Sequence, residues 1–138
     1  MRNFLIGAAF VTLIVVVMVV VGKRQWRRKE DALLARRANP TKQEFRTLIA
    51  DDADPDVTDW LWDELQVYFQ PRLTPHPDDD LVSDLPINSD EPNDWLSGFC
   101  QANKLRINDI QSWDETLPIT VRNFATWLSN ERRRLKSE

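Results

Sequence analysis

The sequence predicts an all-α protein, in which a single N-terminal transmembrane helix is followed by a small four-helix bundle. Residues 4–22 form a run of nineteen positions without a charge, which is long enough for a membrane-spanning helix. Beyond this run, apolar residues recur at the three- and four-residue spacing of amphipathic helices. No stretch shows the sustained alternation of a β-strand, so the rest of the chain is also predicted to be helical.

The apolar run is predicted to be an uncleaved signal anchor. As a helix it would measure roughly 30 Å, which matches the core of a bilayer. A cleavable signal peptide would need small residues at a cleavage site after the apolar core. Here Gly22 is followed at once by Lys23 and Arg24, which favours an anchor.

The flanking charges predict the orientation of this anchor. Arg2 is the only charged side chain before the run, whereas five basic residues follow it between Lys23 and Lys29. The positive-inside rule then predicts a single-pass protein of a bacterial inner membrane, with its N-terminus outside and its C-terminal domain in the cytoplasm. The residues predicted to contact the membrane interface are Lys23, Arg24, Trp26, Arg27 and Arg28.

Four segments follow from this organisation. Residues 1–3 are an N-terminal tail, residues 4–22 the anchor, residues 23–55 a basic juxtamembrane helical linker, and residues 56–138 the helical domain. Within the linker, one helix is expected to end near Asn39. A second short helix is expected to begin there, with Asn39 as its cap and with Phe45, Leu48 and Ile49 as its apolar stripe.

The domain is predicted to open with a helix over residues 56–70. Val57, Leu61, Leu65 and Tyr68 share one face at helical spacing. Trp60 and Trp62 are two positions apart and cannot share a face, so one of them is expected to be exposed. A proline-rich loop follows, and it is expected to return to the core at Leu81 and Leu85.

Two further long helices complete the predicted domain. The first begins at Ser89 as its N-cap, has acidic residues in its first turn, and ends near Asn103. Leu105 and Ile107 are expected to anchor the next segment in the core, with a short helix over residues 108–113. The last helix begins after Thr120, and its apolar face consists of Val121, Phe124, Ala125 and Leu128.

Three stretches of this domain resemble the acyl carrier protein fold. "DLVSDLPINSDEPNDWL" (residues 80–96) is similar to the carrier pattern of an Asp-Leu pair, a linker, a serine and an acidic helix. "LRINDI" and "PITVRNFATWL" look like the segments that precede and begin the last carrier helix. The closest resemblance is to a group of short uncharacterised enterobacterial proteins that are carrier-like in sequence.

The resemblance implies a phosphopantetheine arm on Ser89, with Glu91 and Asp94 as docking carboxylates. The chain departs from the carrier pattern at three positions near this serine. Asp90 replaces the usual leucine after it, Asn88 replaces the usual aspartate before it, and Pro92 stiffens the turn. Ser89 as a plain helix cap is therefore the main alternative to Ser89 as an attachment site.

The charge distribution predicts a binding module. Residues 51–94 contain fourteen acidic residues and one basic residue, Arg72. An acidic, aromatic face comprising Asp90, Glu91, Asp94 and Trp95 would meet a protein partner that has a basic surface. The predicted function is a membrane-anchored, non-catalytic protein interaction module; the alternative is a genuine acyl carrier protein, loaded on Ser89, in lipid or envelope chemistry.

No residue pattern indicates an enzyme, a metal site or a nucleic-acid site. Cys100 is the only cysteine and His76 the only histidine, and nothing in their spacing indicates a catalytic dyad. The chain has three glycines and lacks a phosphate-binding glycine loop. The expected partners are therefore the lipid bilayer and a basic protein, with phosphopantetheine as the one possible cofactor.

Overall fold

The structure, a computed structural model, describes residues 2–85 and 90–137, and of residues 2–11 it describes the backbone alone. The chain divides into two units, Met1–Arg37 and Ala38–Glu138. Within the described ranges the regular elements are five α-helices and one short 3₁₀ helix. The only extended pairing in those ranges is an isolated bridge between Asp80 and Thr120. The all-α prediction is confirmed.

Helix α1 (Arg2–Arg36) makes up nearly all of the first unit. None of the described helices is both long enough and apolar enough to cross a membrane. The helix continues without a break from Gly22 into the charged residues Lys23 and Arg24. This finding overturns the predicted transmembrane anchor over residues 4–22, and with it the predicted single-pass inner-membrane location.

Helix α2 (Lys42–Ile49) opens the second unit with a capping box. Thr41 Oγ1 accepts a hydrogen bond from the Glu44 amide, and the Glu44 carboxylate accepts one from the Thr41 amide. Asn39, the predicted cap, instead bonds Thr74 across 35 residues of sequence. Of the predicted apolar stripe, Phe45 and Ile49 are fully buried, whereas Leu48 is 46% exposed.

Helix α3 (Pro55–Phe69) is the central helix of the second unit, and its N-terminus follows Asp54. Its buried side consists of Val57, Thr58, Leu61, Trp62, Leu65 and Phe69. The Trp62 ring packs on Phe45 of α2 with centroids 5.2 Å apart. Trp60, two positions earlier, is half-exposed, as the helical wheel requires.

Helix α4 (Glu91–Asn103) lies antiparallel to α3. Trp60 near the start of α3 contacts Phe99 near the end of α4, and Tyr68 near the end of α3 contacts Trp95 near the start of α4. The helix ends at the predicted residue. After it, a 3₁₀ helix (Ile107–Asp109) replaces the predicted helix over residues 108–113, and Ile107 is 45% exposed.

Helix α5 (Val121–Ser137) closes the bundle. All four apolar residues predicted for its inner face are buried. The long loop after α3 holds the start of α5, because Asp79 and Pro77 carbonyls accept hydrogen bonds from the Val121 and Arg122 amides. These are first-turn amides that have no acceptor within their own helix.

Candidate functional site

One face of the bundle combines aromatic rings with carboxylates that have no cationic partner. It lies along the groove between α3 and the first half of α4, and we call it the α3–α4 face. Its residues are Trp60, Glu64, Val67 and Tyr68 on α3, and Asp90, Glu91, Asp94 and Gly98 at or along α4. Trp95 forms its floor.

The α3 side of this face is a stripe of helical periodicity. Trp60, Glu64 and Tyr68 are four residues apart, so they lie one above another along the helix. Val67 stands beside them and is 66% exposed. Val67 therefore adds exposed apolar area beside the two half-exposed rings.

The α4 side is joined to the stripe by a hydrogen bond. Tyr68 Oη donates to a Glu91 carboxylate oxygen at 2.9 Å. Burial raises the pKa of Tyr68 above its usual value, and the Glu91 carboxylate raises this pKa further because it accepts the phenolic proton. The negative charge of Glu64 acts in the same direction. The carboxylates from the two helices are therefore gathered around one neutral phenol.

Trp95 forms the buried floor of the face. Its ring is 3% exposed and packs edge-to-face on Tyr68, with centroids 5.6 Å apart. Its indole Nε1 is buried, and its interaction with the Tyr68 hydroxyl lowers the pKa of Tyr68, against the causes that raise it. Trp95 therefore supports the face from the core.

The carboxylates of this face are not neutralised within the described parts of the chain. In these ranges no Lys, Arg or His nitrogen lies at ion-pair distance from Glu64, Asp90, Glu91 or Asp94. The three acidic residues at the start of α4 are favoured by the helix dipole. Glu64 lies in the middle of α3, where the dipole gives it no such support.

The carboxylates on the other sides of α3 differ from these. Asp63 pairs with Lys42 at 2.7 Å and Asp59 with Arg46, both across to α2. At the start of α3 and just before it, acidic residues pair with α5: Asp52 with Arg122, and Asp54 and Asp56 with Arg132. Within α3 and the turn before it, Glu64 is thus the acidic residue whose side chain faces α4 and has no ion pair among the described residues.

The four residues that the sequence predicted for an acidic, aromatic face differ in how exposed they are. Asp90 and Asp94 are exposed, Glu91 is half-buried, and Trp95 is buried beneath the face rather than on it. Ser89 lies outside the described residues, so its role as an attachment site or a cap stays a prediction. Asp90, next to it, takes the N-cap position of α4 without a side-chain capping bond.

Sequence reasoning did not assign the α3 half of the face. Trp60, Glu64 and Tyr68 are spaced four residues apart, and that spacing was a usable signal. Tyr68 was instead placed with the core residues of α3. It lies at the border of the apolar stripe, where a helical wheel alone does not distinguish a core position from a groove position.

The basic residues assigned to a membrane interface lie on the first unit. Lys23, Arg24, Arg27 and Arg28 are exposed on α1, and Trp26 is half-exposed. Their predicted role at a membrane interface depended on the predicted membrane span, which the structure overturns.

The described residues offer little support for nucleophilic or metal chemistry. Burial raises the pKa of the Cys100 thiol above its usual value, which disfavours the reactive thiolate. His76 Nδ1 accepts a hydrogen bond from the Asp78 amide. No cluster of three or more His, Cys, Asp or Glu residues suited to a metal ion is present in the described ranges.

Comparison with known proteins gives no relative: no family model, curated protein or solved structure matches this chain. The resemblance to acyl carrier proteins accordingly stays a prediction from sequence.

Proposed function

We propose that this protein is a non-catalytic binding module, whose α3–α4 face docks a cationic segment of a partner protein. The observation that carries the proposal is the contrast between the unpaired carboxylates of this face and the ion-paired carboxylates on the other sides of α3 and just before it.

The charges would set the rate and specificity of docking. Four carboxylates on one surface, without internal cations among the described residues, generate a local negative potential that attracts a basic partner. Glu64 supports this role most strongly, because neither an ion pair nor a helix dipole accounts for a charge at its position.

The apolar part of the face would supply most of the affinity. Val67 is exposed, and the rings of Trp60 and Tyr68 are half-exposed beside it. Aromatic anchors with a surrounding polar rim are typical of the energetic centres of protein interfaces. Tyr68 also offers its ring to a cation, since an ammonium or guanidinium group binds favourably over an aromatic face.

The test uses two adjacent acidic residues of α3 that differ in whether the fold pairs their charge. A photo-reactive amino acid at Val67 is incorporated in the native host, and cross-linked proteins are identified in three backgrounds: otherwise unchanged, Glu64→Lys and Asp63→Lys. Both substitutions change the net charge by the same amount, on the same helix. We expect the cross-link to decrease more than about tenfold with Glu64→Lys and to persist with Asp63→Lys.

Two further properties of the cross-link are predicted. The cross-linked segment of the partner should be rich in Lys or Arg, and the yield should decrease as salt is raised, because exposed charges are screened. Equal yields in the two variants, or a cross-linked segment that is acidic, would refute the proposal.

A further inference from the structure

A second candidate site lies in a cleft of about 170 Å³ between α5 and the loop before it. The α5 side of the cleft consists of Asn123, Thr126, Trp127 and Asn130. Their spacing of three, four and seven residues places them on one stripe of the helix. The inner face of α5 is apolar, whereas this stripe combines one large aromatic ring with three small polar side chains.

The loop side contributes a second indole and an exposed aliphatic group. Trp113 crosses Trp127 nearly at right angles, at 84° with centroids 5.4 Å apart. Leu117 is 47% exposed at the edge of the cleft. The two half-exposed indoles therefore form a corner, in which one ring presents its face and the other its edge.

This corner rests on a rigid base. The buried ring of Phe124 lies 6.3 Å from Trp113 and 5.8 Å from Trp127, measured between centroids. Phe124 in turn packs against Trp95 in the core. Such support holds both indoles in place before any ligand arrives, which lowers the entropic cost of binding.

Most polar groups around the cleft are already engaged. Asp114 Oδ1 accepts from the Thr116 amide and hydroxyl, and Trp113 Nε1 donates to the Leu117 carbonyl at 3.4 Å. On α5, the Thr126 hydroxyl donates to Arg122.

Two hydrogen-bond donors of the cleft remain open. The indole Nε1 of Trp127 and the side-chain Nδ2 of Asn130 make no hydrogen bond to any described residue. The Nδ2 group of Asn123, by contrast, already donates to Pro118. The cleft thus offers apolar surface together with an indole donor, and the side-chain amides of Asn123 and Asn130 add acceptor oxygens beside it.

We propose that this cleft binds a proline-rich segment in the polyproline II conformation. Such a segment presents flat pyrrolidine rings and outward carbonyl acceptors, and its prolines have no N–H that would need an acceptor. Aromatic-lined grooves with an indole donor are a recurring solution for this ligand. The volume is below the roughly 300–1,000 Å³ of small-molecule pockets, so it suits one or two residues of an extended chain.

The charge at the edge of the cleft selects among such segments. Hydrogen bonds from Thr116 hold the pKa of Asp114 below its usual value, so this carboxylate is ionised at neutral pH. Glu115 follows it and is exposed. No Lys or Arg lines the cleft among the described residues, so the best ligand carries an arginine or lysine beside its prolines.

The test is a titration of the full chain, labelled with nitrogen-15, with an oligoproline peptide that ends in arginine. Indole N–H signals are followed by proton–nitrogen correlation spectra, and Trp127→Phe identifies the signal of Trp127. We expect a saturable shift of that signal. Binding to the Trp127→Phe variant is followed on the Trp113 signal. We expect it to be about fivefold weaker, which is the effect of losing one hydrogen bond. Asn130→Ala should act in the same direction, and Trp60→Phe, on the other face, should have no effect.

Three outcomes would overturn the proposal. The first is that the oligoproline peptide produces no shift of the Trp127 signal. The second is that a glycine–alanine peptide with the same arginine shifts this signal equally. The third is that a linear glucan saturates the cleft and the peptide does not. The last outcome would identify a carbohydrate site instead. Because Asn130 is exposed and its replacement leaves the indoles in place, the Asn130→Ala measurement remains informative even if Trp127→Phe perturbs folding.

Discussion

Acidic residues lie on two sides of α3, and the two sides differ in whether a cationic side chain contacts these residues. Toward α2, Asp59 and Asp63 meet Arg46 and Lys42, so their charges are compensated within the fold. Toward α4, Glu64 contacts no described cation, although it is the sequence neighbour of Asp63. The difference shows that acidic composition alone does not define a binding surface. The relevant quantity is the acidic charge that the fold leaves uncompensated.

The largest expected effect is at Arg122 of α5, which compensates acidic residues outside α3. Its guanidinium bonds Asp52, Asp78 and the Leu48 carbonyl, and so ties α5 to the end of α2 and to the long loop. Arg122→Ala should lower the free energy of unfolding by about 2 kcal/mol, because charged hydrogen bonds that are partly buried are lost.

The control for this measurement is Arg106→Ala. Arg106 also bonds an aspartate, Asp109, but its side chain is 84% exposed, so its removal should cost less than about 0.5 kcal/mol. Denaturant unfolding of both variants checks the comparison. Equal losses would show that the partly buried contacts of Arg122 stabilise the fold no more than an exposed ion pair does.

On the uncompensated side, Gly98→Ala should stabilise the protein. Gly98 lies inside α4, where glycine costs about 0.5–1 kcal/mol relative to alanine. An added Cβ would meet Trp60 Cζ2 at 3.8 Å, which is an ordinary contact. Thermal unfolding should therefore shift upward by a few degrees. A downward shift would mean that α3 and α4 pack more tightly along the groove than the structure shows.

The sequence predicted the helices more accurately than the site. The inner face of α5 was correct at every position from Val121 to Leu128, because i, i+3, i+4 and i+7 spacing depends on the helix alone. The start of α2 was displaced by two residues. The Thr41–Glu44 capping box was readable, but Asn39 also looked like a cap, and its bond to Thr74 depends on tertiary structure.

The ion pairs could not be predicted from the sequence for the same reason. Asp63 and Glu64 are adjacent, and nothing local distinguishes them. Lys42 lies 21 residues before Asp63, and only the packing of α2 on α3 brings the two together. The acidic first turn of α4 was predicted as part of a binding face. Its companion residues on α3 became visible only when the antiparallel arrangement of the two helices was known.

A smaller effect on this side can be read from Tyr68, the only tyrosine in the chain. Its folded-state pKa should exceed the ordinary value of about 10, first because of burial and then because of Glu91. Since this pKa is raised, the contribution of Tyr68 to stability is complete below pH of about 10 and is lost as the pH rises through the folded-state pKa.

Ultraviolet titration of tyrosinate checks this prediction directly. Glu91→Gln should lower the pKa of Tyr68 but leave part of the shift, because burial persists in the variant. An identical pKa in the two proteins would show that the hydrogen bond joining α3 to α4 does not form in solution.

The smallest expected effect on stability gives the most direct test. Glu64→Lys places a cation beside the carboxylates of α4, so it should leave the free energy of unfolding unchanged or raise it by about 0.5 kcal/mol. Asp63→Lys removes the pair with Lys42 and should lower it by a similar amount.

The decisive measurement combines this unfolding free energy with capture of the cross-linked partner, in the same preparation of the Glu64→Lys protein. The predicted result is a protein at least as stable as the original that no longer captures its partner. A destabilised protein, or a stable one that still captures the partner, would contradict the claim that the uncompensated carboxylates of the α3–α4 face are used for binding.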